Sequence, residues 1–364
     1  MAVGLVVVGL GDVGSSLLAG VEAARTHLVH PWGSLVEAGG AGRTPEQSVA
    51  EPLRARAPLA GLGDLVLGAF ELHDDDAYRA ALRANLLGRS LVDELRPGLR
   101  QIRAMAGARH APTRRHLADA LAEDLRGFLE HGGCARGVVV CTAPGLRQLA
   151  NKPPFTAADL WSALEEGGRD VTPGLVYAAA AAQAGCAFVA ASPDAALQAP
   201  GVGALFAEAG QPVAGVGLLT PDAALREAVA QVLGAEALGV VGATSLSTRV
   251  EERSARLWGG PDRTQEMALA RAWAGGAFEL SIELRGQIAL HLAARGLDAA
   301  LLLELAARAG RTGAQDWMDT LFAAPIASVA VHEARPPTLA ERRARLAAEI
   351  PALAAAAAAA VEAA

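Results

Sequence analysis

The sequence predicts an α/β protein built on a doubly wound parallel sheet, and three observations support this prediction. Apolar, β-branched runs alternate with helical segments along much of the chain, as in proteins with a buried parallel sheet. The first of these runs ends in a glycine-rich turn. The chain has 364 residues, 52% of them hydrophobic, so it can bury a large core in about two domains. Strands are predicted at residues 4–8, 64–72, 137–142, 187–191 and 211–217.

The glycine-rich turn lies between the first strand and a helical run, which is the context that a dinucleotide-binding turn requires. Gly9 permits the tight turn, Gly11 lets the backbone approach a pyrophosphate, and Gly14 lets the helix pack on the strand. The helix N-terminus then offers N–H groups to the phosphates. A buried turn without a nucleotide is the alternative. The residues predicted to bind the cofactor here are Gly9, Gly11, Asp12, Val13, Gly14 and Ser15.

The ends of the other predicted strands extend this candidate site, because ligands of doubly wound sheets bind beyond the carboxyl ends of the strands. Glu71 follows the second strand, where an acidic side chain can accept hydrogen bonds from a ribose. The remaining residues predicted to contact the cofactor are Thr142, Ala143, Ser192, Asp194 and Gly215.

Composition excludes several functional classes. The net charge of −7 argues against a nucleic-acid surface. The three cysteines have no spacing typical of a metal site, and we predict no metal. The sequence has neither a leader pattern nor an apolar span of about 18 residues, so we expect a cytoplasmic protein without membrane contact.

The character of the sequence changes after residue 219. Two strand-like segments, Leu238–Thr248 and Ala277–Arg285, flank a polar stretch. Phe278 to Leu284 alternates apolar and polar side chains, which is typical of an antiparallel sheet with one buried face, and another subunit could cover that face. We therefore predict an inserted α+β domain at 220–287, used for catalysis and oligomerisation, within a Rossmann-type domain formed by 1–219 and 288–364.

The motifs at the strand ends resemble, in the same order, those of the myo-inositol-1-phosphate synthase (inositol-3-phosphate synthase) family. Residues 9–22 are similar to the glycine-rich signature of the family, and Phe70-Glu71-Leu72 resembles its Trp-Asp-Ile. Residues 138–143 resemble its Val-Val-x-x-Thr-Ala, and Ser192-Pro193-Asp194 resembles its Ser-Pro-Gln-Asn turn. The order and spacing hold from Val3 to about Ile350.

The resemblance implies a Rossmann-type NAD-binding domain, interrupted by a smaller domain that builds a tetramer. Members of the family use bound NAD to oxidise a hydroxyl of a sugar phosphate. The carbon made acidic by the new ketone is deprotonated, the ring closes by aldol attack, and the ketone is reduced again. Lysines carry much of the proton transfer and charge neutralisation. The expected partners are accordingly a phosphorylated sugar or cyclitol and further copies of the chain, as a tetramer or dimer.

This sequence departs from the family at the lysines. The Gly-Asp-Asp-x-Lys-Ser motif of the family is replaced by the segment from Gly215 to Thr220, which contains neither acid nor lysine. Arginine is a permanent cation that grips phosphate but transfers protons poorly. Arg226, with Arg249, Arg253 and Arg256, therefore forms either a phosphate clamp or a solvated helix face. His291 is the best-placed group for proton transfer, and a structural histidine is the alternative.

Three functions follow from these observations. The first is an NAD-dependent enzyme of this family with altered chemistry on a sugar or cyclitol phosphate, with Arg226 and His291 as catalytic residues. The second is an ordinary inositol-phosphate synthase, which the missing lysines disfavour. The third is a non-catalytic oligomeric protein that binds NAD.

Overall fold

The computed structural model describes residues 2–38, 51–145, 153–168, 170–236, 239–248, 262–326 and 337–362. Arg249, Arg253 and Arg256, which the sequence analysis considered as a phosphate clamp, lie outside the described residues.

The largest element is a sheet of seven parallel strands in the order β11-β6-β5-β4-β1-β2-β3. The predicted α/β fold with a doubly wound parallel sheet is thereby confirmed. The chain moves outward from β1 in both directions, so the strand order reverses between β1 and β4, where ligands of such sheets bind. The strands are β1 (Val3–Val8), β2 (Leu65–Glu71), β3 (Ala104–Ala106), β4 (Arg136–Cys141), β5 (Ala187–Ala190), β6 (Pro212–Ala214) and β11 (Gly313–Ala314).

Helices cover both faces of this sheet and enclose two hydrophobic clusters. On one face, α1, α2, α10 and α11 pack over side chains such as Val7 and Val140. On the other face, α5 to α8 pack over side chains such as Val8 and Phe188. The helices are α1 (Asp12–Arg25), α2 (Ala77–Ala84), α3 (Arg89–Glu94), α4 (Arg96–Leu99), α5 (Arg114–His131), α6 (Ala157–Glu166), α7 (Pro173–Gln183), α8 (Pro200–Glu208), α9 (Pro221–Ala235), α10 (Ile288–Arg308) and α11 (Leu339–Glu362). Short 3₁₀ turns lie at Leu53–Ala55, Leu62–Asp64, Ala195–Gln198, Trp273–Gly275 and Asp316–Leu321.

Polar caps fix where several helices begin. The hydroxyls of Thr113, Thr156 and Thr172 accept hydrogen bonds from the third residue of α5, α6 and α7, respectively. Each cap satisfies one of the N–H groups that have no acceptor within the helix. The caps place the beginnings of these helices at the sheet edge where the parallel strands end.

Three further strands form a separate antiparallel sheet in the order β10-β9-β8: β8 (Gly239–Thr248), β9 (Asp262–Arg271) and β10 (Ala277–Gly286). The sequence analysis anticipated the outer two but not β9, whose residues have low β propensity. β9 is a strand because it is hydrogen-bonded along both edges. The described residues contain no helix with the length and apolar character needed to cross a membrane.

The strand predicted at 211–217 is interrupted. Gly215, with a φ of +62°, turns the chain between β6 and β7 (Val216–Leu218). β7 leaves the seven-stranded sheet and pairs antiparallel with β12 (Phe322–Ala324). The positive φ explains the break, since it directs the backbone out of the extended conformation.

Candidate nucleotide and substrate site

The glycine-rich turn has the geometry of a dinucleotide-binding turn. Gly9 has a φ of +88°, a left-handed conformation that favours glycine. A Cβ on Gly14 would overlap the carbonyl oxygen of Gly9, so helix α1 packs on the turn at a distance that only glycine permits. A Cβ on Gly11 would meet no heavy atom within 4 Å. The turn is therefore closed on its protein side and open at Gly11.

The first turn of α1 presents donors to this open space. The first hydrogen bond along α1 runs from the N–H of Ser15 to the carbonyl of Gly11, at 2.9 Å, so the preceding N–H groups have no acceptor in the helix. Asp12 is exposed and Val13 is half-buried. The Ser15 hydroxyl is buried and donates to the carbonyl oxygen of Gly11 at 2.7 Å. The side chain of Ser15 therefore supports the turn, while the N–H groups of Asp12 and Val13 precede the first hydrogen bond of the helix, as anion-binding helix N-termini require.

Glu71, at the end of β2, is fixed beside the turn. Its carboxylate oxygens accept hydrogen bonds from the N–H of Leu10 at 2.6 Å and from the N–H of Leu72 at 2.7 Å. Each carboxylate oxygen has a second lone pair, so the group keeps acceptor capacity for a ribose hydroxyl. The structure thus holds the acid in one orientation next to the phosphate-binding turn.

Thr142 joins the end of β4 to the turn from the opposite side. Its hydroxyl lies 2.9 Å from the carbonyl oxygens of both Val8 and Gly9, and its N–H donates to Val8 at 2.9 Å. Ala143 follows on the same strand end. These contacts hold β1 and β4 together at the point where the strand order reverses.

A cavity of about 460 Å³ opens next to the turn. Its volume lies within the range of ligand pockets, about 300–1,000 Å³. Its wall includes the predicted residues Gly9, Gly11, Glu71, Thr142 and Ala143. It also includes residues that the sequence analysis missed, namely Leu72, Arg83, Arg114, Leu117 and Tyr177. For two of them the sequence did contain a signal: Leu72 directly follows Glu71, and Arg114 is the first residue of the helix that Thr113 caps.

The other predicted cofactor residues have different surroundings. The buried Ser192 hydroxyl has no hydrogen-bond partner among the described residues, which leaves a donor and acceptor at the end of β5. Asp194 is fully buried and accepts hydrogen bonds from the Thr172 hydroxyl at 2.6 Å and from the N–H of Ala196 at 3.1 Å. Asp194 therefore connects α7 to the loop after β5.

The predicted residue Gly215 lies at the end of β6. A Cβ on Gly215 would overlap the ring of Phe322, so this glycine permits a close contact with β12.

The residues in place of the family's acids and lysine are apolar and buried. These residues are Val216, Gly217 and Leu219; the side chains of Val216 and Leu219 are 2% and 6% exposed, and Gly217 is buried as well. The N–H of Leu219 donates to the carbonyl of Leu321 at 2.8 Å, alongside the pairing of β7 with β12. This strand end provides hydrophobic packing rather than ionisable groups.

Arg226 on α9 forms an ion pair with the small sheet, and 46% of its side chain is exposed. Its Nε and Nη2 donate to the carboxylate of Glu266 at 2.9 and 2.6 Å, and Asp222 lies 3.8 Å away. The hydrogen bond and charge of Glu266 raise the pKa of Arg226. Because Glu266 is on β9, the pair connects α9 to the small sheet. The sequence analysis did not anticipate Glu266, which lies in the strand it missed.

His291, in the first turn of α10, is a neutral side chain. Burial, with a smaller contribution from Arg295, lowers its pKa to about 4. The Nε of Arg295 donates to Nε2 of His291 at 3.4 Å, which leaves Nδ1–H as the donor of the ring. A histidine in this state is a weak base at neutral pH but remains a hydrogen-bond donor.

Together, the parallel sheet, the open glycine turn, the ordered acid after β2 and the adjoining cavity define a dinucleotide-binding protein of the Rossmann type. Residues 3–335 match the NAD-binding model described as myo-inositol-1-phosphate synthase. The chain belongs to this family, as the sequence motifs indicated, and its cofactor is NAD. The groups around the turn fit that cofactor: N–H donors at the start of α1, the Glu71 carboxylate beside the turn, and a mostly apolar cavity next to it.

Individual relatives agree with the family model along almost the whole chain. The inositol-3-phosphate synthase 1 of Bacteroides thetaiotaomicron is 22% identical over 385 residues, covering 89% of this chain and 89% of its own. The crystal structure of an inositol-3-phosphate synthase from Caenorhabditis elegans superposes with a TM-score of 0.79 at 16% identity, covering 97% of this chain and 86% of that one. A myo-inositol-1-phosphate synthase-related protein from Thermotoga maritima superposes with a TM-score of 0.65 at 16% identity, covering 89% and 93%. The structural likenesses establish a shared fold.

Proposed function

We propose that this protein is an NAD-dependent enzyme that acts on a sugar phosphate or cyclitol phosphate by internal oxidation, enolisation or cyclisation, and reduction, with an altered set of proton-transfer groups. The observation that carries the proposal is the contrast within one site. The open glycine turn and its cavity are kept, while Val216, Leu218 and Leu219 fill the segment where the family has ionisable groups.

The residues around the turn have distinct roles in this proposal. NAD, when bound, would supply the reversible hydride acceptor for this chemistry. The N–H groups at Asp12 and Val13 hold the diphosphate, Glu71 holds the adenosine ribose, and Thr142 with Ala143 keeps the β4 end in register. The Ser192 hydroxyl supplies a further polar contact from β5. Asp194 and Gly215 have structural roles at this sheet edge: Asp194 binds the cap of α7, and Gly215 allows the close approach of Phe322.

Arg226 and His291 remain the proposed catalytic residues, with roles adjusted to their surroundings. The bidentate contact with Glu266 fixes the Arg226 guanidinium, which suits charge neutralisation rather than proton transfer. Neutral His291 is suited to donate a hydrogen bond to a substrate oxygen through Nδ1–H. We also propose that residues 1–219 and 288–364 form the NAD-binding domain and that residues 220–287 form the inserted domain. The protein is proposed to be a cytoplasmic homo-oligomer.

Two assays on the purified protein test it. NAD should raise the melting temperature of the protein. Incubation with NAD and glucose 6-phosphate should form inositol phosphate more slowly than an ordinary synthase does, or should give a different phosphorylated product. Inositol phosphate formed at the rate of an ordinary synthase would contradict altered chemistry. Other hexose and cyclitol phosphates are screened by the same product analysis.

A non-catalytic NAD-binding protein is the second candidate. It is favoured by the apolar strand end at Val216 and Leu218, which has no group able to transfer a proton. It predicts NAD binding without turnover of any phosphorylated sugar or cyclitol. Transient NADH formation with a sugar phosphate, followed by absorbance at the nicotinamide band, would decide in favour of the enzyme.

A further inference from the structure

A buried tyrosine in the wall of the cavity beside the glycine turn is the starting observation. Tyr177, on α7, is 6% exposed, and its ring lies 5.5 Å from that of Phe70, between centroids. Its hydroxyl donates to the carbonyl oxygen of Gly107 at 2.6 Å. Burial raises the pKa of Tyr177, so the hydroxyl remains a donor at neutral pH. All three residues line the cavity of about 460 Å³.

The partner of this hydroxyl lies at the weakest edge of the parallel sheet. Gly107 follows β3, an edge strand of three residues that pairs only with β2. So short an edge strand has few hydrogen bonds to hold its end. Helix α7 packs on β4 and β5, on the other side of β1 and β2. Tyr177 therefore connects that side of the sheet to the end of β3.

Gly107 in turn holds the backbone of Glu71. The N–H of Gly107 donates to the carbonyl oxygen of Glu71 at 2.8 Å. On the opposite edge of β2, the N–H of Gly9 donates to the carbonyl oxygen of Phe70 at 2.9 Å, and the Glu71 carboxylate accepts from the N–H of Leu10 at 2.6 Å. The orientation of Glu71 thus depends on the glycine turn on one side and on Gly107 on the other.

The close approach at Gly107 explains why this residue is a glycine. A Cβ at this position would lie 2.8 Å from the hydroxyl oxygen of Tyr177 and 3.0 Å from the carbonyl carbon of Glu71. The φ of Gly107 is not positive, so no turn requires a glycine here. The absence of a side chain is what allows the tyrosine and the acid to reach the same backbone unit.

We propose that Tyr177 is a positioning residue for the cofactor, which acts through Gly107 to hold the Glu71 carboxylate against the 2′-hydroxyl of the adenosine ribose. This inference rests on the part of the proposed function that assigns Glu71 to the ribose. A hydrogen bond weakens steeply when its distance and angle change, so loosening the backbone under Glu71 weakens its grip on the hydroxyl. The Tyr177 hydroxyl donates to Gly107 and acts without touching the cofactor.

Calorimetric titration of the full-length protein with ADP and with 2′-deoxy-ADP tests the inference, because these nucleotides differ only in the hydroxyl assigned to Glu71. Wild-type protein should bind ADP about tenfold more tightly, as expected for one hydrogen bond to a charged group. Tyr177→Phe removes the hydroxyl and keeps the ring, and it should reduce this ratio to about threefold by weakening ADP binding. A ratio unchanged from wild type would overturn the inference.

The second of the two tyrosines in the chain provides a matched control. Tyr78 is also 6% exposed, and its hydroxyl donates to Asp93 at 2.6 Å. Neither residue lines the cavity. Tyr78→Phe and Tyr177→Phe should both lower the melting temperature, but Tyr78→Phe should keep the wild-type ratio. An equal fall of the ratio in both variants would show a general loosening of the fold and refute the positioning role.

Two further variants test the route through Gly107 and Glu71. Gly107→Ala displaces the Tyr177 hydroxyl, so it should lower the ratio as Tyr177→Phe does, and the double variant should lose little more. In a Glu71→Gln background, Tyr177→Phe should leave the ratio unchanged, because the carboxylate through which it acts is absent. A further fall of the ratio in that background would show that Tyr177 does not act through Glu71.

The same titrations separate this inference from the proposed function. Wild-type protein that binds neither NAD nor ADP would refute the proposed function, and the inference with it. Binding of both nucleotides with equal affinity for ADP and 2′-deoxy-ADP would remove Glu71 from the ribose and also refute both. Tenfold preference for ADP that is insensitive to Tyr177→Phe would refute the inference alone.

Discussion

The glycine turn after β1 and the strand end at β7 occupy the same edge of the molecule but depart from the family to different degrees. At the turn, Gly9 and Gly14 each meet a steric requirement that few residues satisfy, and Gly11 leaves the open side of the turn clear. At β7, buried apolar residues stand where the family motif has acids and a lysine. Backbone geometry that binds a cofactor is therefore separable from the side chains that process a substrate.

The steric requirement at the turn gives the largest predicted effect. Gly14→Ala places a methyl group on the carbonyl oxygen of Gly9, so α1 must move away from β1. We expect a loss of about 3 kcal/mol in the free energy of unfolding, measured by urea denaturation. A loss below about 0.5 kcal/mol would mean that the turn tolerates displacement.

Gly11 separates cofactor binding from folding. Gly11→Leu adds a side chain in open space, so the free energy of unfolding should be unchanged while NAD affinity falls about 100-fold. Calorimetric titration with NAD measures the affinity, and urea denaturation provides the control. Unchanged affinity would place the diphosphate elsewhere and remove the basis of the comparison.

The third prediction concerns the ion pair between Arg226 of α9, which follows β7, and Glu266 of β9. Arg226→Met leaves the buried carboxylate of Glu266 without its bidentate partner. We expect a loss of about 2 kcal/mol in the free energy of unfolding, reduced from the range for fully buried pairs because Arg226 is half-exposed. Arg89→Met is the control, since Arg89 forms an exposed pair with Asp93 and its loss should cost clearly less stability than the loss of Arg226. Equal losses in the two variants would show that the connection to β9 is weak.

The smallest effect concerns the protonation of His291. Its pKa in the folded state, about 4, lies below the ordinary value of 6.5, so the unfolded chain takes up a proton first as the pH falls. The stability that neutral His291 contributes is present above pH 6.5 and is lost between pH 6.5 and 4. Relative to His291→Gln, wild-type protein should lose about 1–2 kcal/mol over this range, allowing for partial exposure.

Asp298 acts in the opposite direction over the same pH range. Burial raises its pKa to about 6, so lowering the pH relieves the cost of its charge. The comparison with His291→Gln cancels this contribution, because Asp298 is present in both proteins. Parallel pH profiles for the two proteins would contradict a lowered histidine pKa.

Local patterns were sufficient for much of the fold. The periodicities at β1, β2, β4 and β5 predicted the buried parallel strands, since each is a continuous apolar run. These features depend on residues close together in the chain, which is why they could be read from it.

Central strand β9 shows where local patterns end. Its sequence has weak strand propensity, and its conformation is imposed by β8 and β10 on either side. The break at Gly215 has a similar origin, because β12 pairs with β7 from more than 100 residues further along the chain. Long-range pairing decides such segments, and no short window contains both partners.

The sequence by itself determined the sheet, the dinucleotide-binding turn, the family and the replacement of its lysine motif. Only the tertiary structure decided which charges meet: Arg226 is neutralised by Glu266, and the buried carboxylate of Asp298 accepts hydrogen bonds from the 34–36 segment. The physical reason is that the cost and the use of a buried charge depend on burial and on the distance to other charges. Both quantities arise when distant segments pack together.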